Sequence, residues 1–162
     1  MGQHIEIAIV RESIIMAKIT ILYYSKEGHT KALAEVIKSI LDPMLPARIQ
    51  SELVSATTLN FERLKDSAAF ILGSPDYFSY VAGYMKTFFD DLWEHRAIFK
   101  DRPAFGFITH GGGGKATKAL EDLCGSFKFN YIKPTISTGK PADEKLKTQI
   151  KANCEKLLKL LK

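Results

Sequence analysis

From Lys18 onward the chain alternates short apolar runs with longer segments whose apolar residues recur at helical spacing, and this alternation limits the fold more than any other feature. Ile19–Tyr24 is apolar enough for a strand covered on both faces. Thr30–Leu41 follows, with Leu33, Ile37, Ile40 and Leu41 on one helical face and Lys31, Glu35 and Lys38 on the other. Pro43 and Pro46 end that helix. Ala47–Val54 reads as a second, weaker strand, Leu59–Lys65 as a short helix and Ala68–Gly73 as a third, buried strand. Ala82–Trp93 is a helix that turns Met85, Phe88, Phe89, Leu92 and Trp93 inward. Pro103–Thr109 is strand four, Ala116–Phe127 a helix, and Tyr131–Ser137 strand five, placed at a sheet edge by Pro134. The last helix opens at Pro141, carries Asp143 and Glu144 in its first turn, and buries Leu146, Ile150, Leu157 and Leu161. Five strands alternating with helices predict an α/β fold with a parallel sheet and helices on both faces. Right-handed crossovers then favour the doubly wound strand order 2-1-3-4-5.

A length of 162 residues fits one domain with a substantial core. Residues 16–162 account for it, since Met16-Ala17-Lys18 directly precedes the first strand; residues 1–15 read as an extension of unclear role, dispensable for folding. Arg11 and Glu12 interrupt the stretch begun at Ile5–Val10 and no small-residue cleavage site follows, so a secretory signal is not expected, and no apolar run is long enough to span a membrane. Cys124 and Cys154 lie in helical segments without CxxC spacing, which predicts reduced thiols and a cytoplasmic location. The formal charge of +5 invites a nucleic-acid reading, but the basic residues are spread over every helix and the densest group, Lys145 to Lys162, alternates with leucines as a solvated helix face does. No nucleic-acid partner is expected.

Ligands of open α/β sheets bind beyond the carboxyl ends of the strands at the switch in strand order. In the predicted order, the loops after strands one, three and four meet there. The first is Ser25-Lys26-Glu27-Gly28-His29-Thr30, in which two hydroxyls bracket a glycine just before a helix starts. Free backbone N–H groups, the positive helix end and hydroxyl donors suit an anion, although Ser and Thr also serve as plain helix caps. No GxxxxGK[ST] or GxGxxG is present; Gly114-Lys115 lacks the first glycine and the hydroxyl of the former. The second loop, Ser74-Pro75-Asp76-Tyr77-Phe78-Ser79-Tyr80, offers three aromatics beside a proline-fixed turn, which suits a flat ring system. The third, Thr109-His110-Gly111-Gly112-Gly113-Gly114-Lys115, puts four glycines where backbone can approach a ligand closely. There is no metal-ligand cluster.

These segments carry a resemblance. Gly73-Ser74-Pro75-Asp76-Tyr77-Phe78, followed by Ala82-Gly83-Tyr84-Met85-Lys86-Thr87-Phe88-Phe89-Asp90, is similar to the G-[ST]-P, aromatic, G-x-M-K-x-F-x-D pattern of the flavodoxin family. The first loop resembles that family's hydroxyl-rich phosphate loop, and the Thr-His-Gly-Gly-Gly-Gly run resembles its glycine-containing loop beside the flavin ring. From about Lys18 to the C-terminus, the chain most resembles the short NAD(P)H:quinone-reductase-like branch related to Trp-repressor-binding protein. The resemblance implies a flavodoxin-like three-layer sandwich and FMN as cofactor. It implies that Ser25, Lys26, Glu27, Gly28, His29 and Thr30 hold the FMN phosphate, that Pro75, Asp76, Tyr77 and Phe78 line one edge of the isoalloxazine, and that Thr109, His110, Gly111, Gly112, Gly113 and Gly114 line the other. Tyr77, Phe78 and His110 are the side chains expected near the ring, with His110 a candidate proton donor; no catalytic residue is otherwise assigned.

Two departures bear on function. Lys26 and His29 put charge or potential charge into a loop that flavodoxin electron carriers keep mostly neutral, and those carriers are usually acidic whereas this chain is basic. The segment that distinguishes the longer tetrameric quinone reductases is missing, so their oligomeric state does not carry over, and a homodimer stays open. A phospho-receiver would need acids after strand one and an Asp ending strand three; Tyr23-Tyr24 and Gly73-Ser74 stand there instead. Two functions remain: NAD(P)H-dependent reduction of quinones or similar acceptors through FMN, or electron carriage between redox proteins.

Overall fold

In the computed structural model, which describes residues 16–161, strand β1 (Ala17–Tyr23) pairs in parallel with β2 (Ile49–Ser55) on one side and with β3 (Ser67–Tyr77) on the other. Strand β5 (Pro103–Thr109) extends the sheet beyond β3, and two short strands, β6 (Asn130–Tyr131) and β7 (Ile136–Thr138), both pair in parallel with β5. Strand β4 (Tyr80–Val81) folds back antiparallel on the end of β3. With that hairpin set aside, and β6 and β7 sharing one position, the order is the predicted 2-1-3-4-5. The expectation for residues 1–15 falls outside the described residues.

Helices α1 (His29–Leu41) and α5 (Glu144–Leu160) lie on one face, where Leu33, Ile37, Leu41, Ile150 and Leu157 pack with Ile19, Ile21, Ile71, Phe105 and Phe107. Helices α3 (Gly83–Asp91) and α4 (Ala116–Ser126) cover the other, where Met85, Phe88, Phe89 and Leu120 meet Leu22, Phe70, Leu72 and Ile108. The strands divide their side chains by a period of two: Ile71 goes to the first core and Phe70 and Leu72 to the second, as a sheet buried on both faces requires. Close contact between layers explains one motif residue. A Cβ on Gly73 would lie 1.9 Å from the ring of Phe107, so this position admits glycine because of core packing.

Several sequence expectations need correction. The predicted fifth strand is broken between β6 and β7, because Pro134 has no N–H to donate to the ladder. The last helix starts at Glu144 rather than Pro141, since the Asp143 carboxylate accepts from Leu146 N at 2.9 Å and sets the N-terminus there. Asn60 likewise caps a helix α2 of only Phe61–Leu64. Strand β2 begins two residues later than expected, after the turn in which Ile49 N donates to Pro46 O. Trp93 does not face inward: α3 ends at Asp91, a 3-10 turn over Trp93–Ile98 changes the periodicity, and Trp93 stays 46% exposed with the Arg96 guanidinium 4.0 Å over its ring. The segment after Gly73 is not a loop but the continuation of β3 into the β4 hairpin.

Candidate active site

At the carboxyl ends of β1, β3 and β5 the sheet opens into a cleft of about 480 Å³, a volume suited to a small-molecule ligand or cofactor. The loop after β1 contributes Ser25, Lys26, Glu27, His29 and Thr30. Gly28 does not line the cleft, but it caps α1 at φ +98°, a conformation open to glycine, and provides no side chain to satisfy the first-turn N–H groups. Ser25 Oγ accepts from Gly28 N at 3.1 Å, which leaves the Ser25 proton free for a ligand. The Thr30 hydroxyl is buried, 2.7 Å from that of Thr109. Uncapped N–H groups at the positive end of a helix, hydroxyl donors and the Lys26 ammonium together favour an anion.

The end of β3 contributes Pro75, Asp76 and Tyr77. Asp76 is no free turn acid: one carboxylate oxygen accepts from Ser79 N at 2.9 Å and the other from Ala116 N at 3.0 Å. It therefore closes the hairpin, caps α4 and joins the two segments that flank the cleft. Phe78 and Ser79 form the hairpin tip at φ +56° and +65°, and Phe78 stands wholly exposed outside the cleft lining. Tyr77 packs edge-on to Tyr24, which stacks on Tyr84 at 4.9 Å between ring centres. Burial, with smaller contributions from Tyr24 and Glu27, raises the Tyr77 phenol above its usual range, so it stays a protonated donor at neutral pH.

The end of β5 contributes Thr109, His110 and Gly111, while Gly112, Gly113 and Gly114 are not among the lining residues. His110 is gripped between two glycines: a Cβ on Gly114 would come 3.0 Å from its Cδ2, and one on Gly139 3.2 Å from its Cε1. Its backbone N–H donates to Thr138 O, and its buried Nδ1 has no partner among the described residues. A fourth wall, missed from the sequence, comes from Thr138, Gly139, Lys140, Pro141 and Ala142 after β7. Its Gly-Lys-Pro turn directly after a strand is the signal that would have pointed to it. The thiols belong to neither wall: both are buried, which pushes Cys154 up to about 12 and raises Cys124 as well, so neither supplies a thiolate.

Comparison with known proteins agrees with this geometry. Residues 32–142 match the family model for NADPH-dependent FMN reductase. Among solved structures, a flavodoxin from the Archaea superimposes with a TM-score of 0.76 at 19% identity, covering 89% of this chain and 98% of that one. A WrbA-like flavodoxin from Agrobacterium tumefaciens does so with a TM-score of 0.73 at 17% identity, covering 89% and 97%. A flavodiiron core from a Synechocystis species gives 0.72 at 26% identity, covering 90% of this chain but 36% of that one. The structural neighbours share the flavodoxin-like fold, and the family match runs from Ala32, within α1, to Ala142, just before α5. This chain belongs to the NADPH-dependent FMN reductase family.

Proposed function

We propose that the chain is an FMN oxidoreductase that couples oxidation of NAD(P)H to reduction of a quinone or similar planar acceptor at the cleft beyond β1, β3 and β5. The observation that carries this reading is that one cleft brings together the uncapped N-terminus of α1, Tyr77 and His110, the last two within residues 32–142 that match the family. The residues fit FMN: the Ser25–Thr30 loop supplies donors and Lys26 for a phosphate, and Tyr77 and His110 stand on the opposing loops that would flank a ring. Phe78 and Gly112–Gly114 belong to the second tier, adjoining the cleft without lining it.

FMN, when bound, supplies a centre that accepts hydride and exchanges single electrons. The protein's own part is placement. Asp76 fixes the β3–β4 hairpin against α4, which holds the Tyr77 wall rigid relative to the glycine loop. Tyr77 remains a neutral hydroxyl donor, and His110, held by Gly114 and Gly139, brings an imidazole to the cleft for proton exchange. Phe78, projecting at the tip, offers an apolar surface to an incoming planar substrate.

The test is anaerobic mixing of the FMN-loaded protein with NADH and with NADPH. The expected result is rapid bleaching of the flavin followed by reoxidation on adding a quinone. Flavin that stays oxidised for many minutes under excess of both nucleotides, yet is reduced quickly by a low-potential redox protein, would replace this reading with that of an electron carrier.

A further inference from the structure

Two pairs of buried hydroxyls face each other at hydrogen-bond distance. Thr20 Oγ1 and Ser67 Oγ lie 2.6 Å apart, between neighbouring strands β1 and β3, and neither residue lines the cleft. Thr30 Oγ1 and Thr109 Oγ1 lie 2.7 Å apart and connect the first turn of α1 with the last residue of β5, 79 positions further along the chain. Both members of this second pair line the cleft, although Thr30 is only 2% exposed and Thr109 8%. Resemblance to the family puts Thr30 on the phosphate side and Thr109 on the ring side, so the bond crosses from one part of the site to the other.

A hydroxyl has one proton and two lone pairs. When two hydroxyls face each other, one proton lies between the oxygens and the acceptor keeps its own proton for a third group. Among the described residues neither Thr30 nor Thr109 has another side-chain partner, so the spare proton has the cleft as its open direction. An anion there selects one of the two polarities. With Thr109 donating to Thr30, the Thr30 proton is turned outward, and the chain of two bonds is polarised so that each strengthens the other.

We propose that Thr109 is a positioning residue for the phosphate: it acts through Thr30, donating to the Thr30 oxygen so that the Thr30 hydroxyl donates to a phosphate monoester held by the Ser25–Thr30 loop. The inference rests on the reading of that loop as the FMN phosphate site. It assigns to a residue at the end of β5 an effect on the far end of the cofactor. The consequence is selectivity: loss of the Thr109 hydroxyl weakens FMN but not riboflavin, which has the same ring and no phosphate.

The experiment is fluorescence titration of the full chain with FMN and with riboflavin. Wild type is expected to prefer FMN. Thr109→Val should raise the Kd for FMN by about tenfold and that for riboflavin by less than about twofold. Thr109→Ser should restore the preference, and the Thr30→Val/Thr109→Val double variant should be no worse than Thr30→Val alone. Thr20→Val, which breaks the other pair, should leave the FMN-to-riboflavin ratio unchanged. If Thr109→Val does not fold, Thr109→Ala carries the same expectation. Equal weakening of both flavins, or additive effects of the two single variants, would overturn the role of Thr109 while leaving the phosphate site in place. A wild type that binds both flavins equally would overturn the phosphate reading itself, and this proposal with it.

Discussion

The two ends of the sheet use similar groups to opposite purposes. At the amino end, cations are spent on closing the structure. Arg102 donates to Lys65 O and Ser67 O at 2.6 and 2.7 Å while its guanidinium lies 5.3 Å over Phe99, and Lys18 donates to Arg63 O while pairing with Glu52 at 3.0 Å. Each of these cations finds its partner inside the protein. At the carboxyl end donors are left over: among the described residues, α1 has no side-chain cap and the Ser25 proton has no partner. A sheet is stabilised where its polar groups are satisfied and becomes a site where they are not.

Substitutions at the two ends should have separable effects. The largest expected effect is at the closed end, where Arg102→Met should cost about 2–3 kcal/mol of stability by leaving two carbonyls without their charged donor. FMN affinity should be unaffected, as comparison of urea melts with flavin titrations would show. An FMN affinity that fell along with stability would mean that the two ends are not separable. Next is Ser25→Ala, which should weaken FMN binding by about 1–2 kcal/mol while shifting apo-protein stability by less than about 0.5 kcal/mol.

Acid distinguishes the ends as well. Burial pushes the Glu52 carboxyl up, but hydrogen bonds from Arg63 and Lys18 outweigh it and hold the group below its ordinary value of 4.5. A carboxylate depressed in the folded state contributes stability above its unfolded pKa and loses it as pH falls through the folded value. Stability should therefore drop below about pH 4.5, and Glu52→Gln should flatten that part of the profile in a chemical-denaturation series. The smallest effect is a gain. Ser79→Gly removes the side chain from a residue at φ +65° while keeping the N–H that Asp76 accepts, and should stabilise the protein by about 0.5–1 kcal/mol in thermal melts.

How far the chain could be read in advance follows the same division. Helix α1 is legible from apolar residues at helical spacing, and strands β1 and β5 from short continuous apolar runs, β5 being buried along its whole length. The loops after them were legible as ligand-facing because strand order dictates which ends meet. The contacts that decide what each loop residue does were not. Nothing local shows that Asp76 reaches Ala116, 40 residues away, or that Thr30 reaches Thr109. The inward reading of Trp93 failed because a helical period was continued past the point where α3 gives way to a 3-10 turn. The wall at Thr138–Ala142 was missed because only the loops after strands one, three and four were expected to meet at the switch in strand order, whereas the turn after β7 reaches the cleft too.

The most direct test of this division is a titration of isotopically labelled protein with FMN, followed through backbone amide resonances. Shifts should concentrate in the amides of residues 25–30, 76–79, 109–114 and 138–142 other than Pro141, with Lys18, Glu52, Arg63 and Arg102 unmoved. Shifts centred on the amino end of the sheet, or spread evenly over both ends, would contradict it.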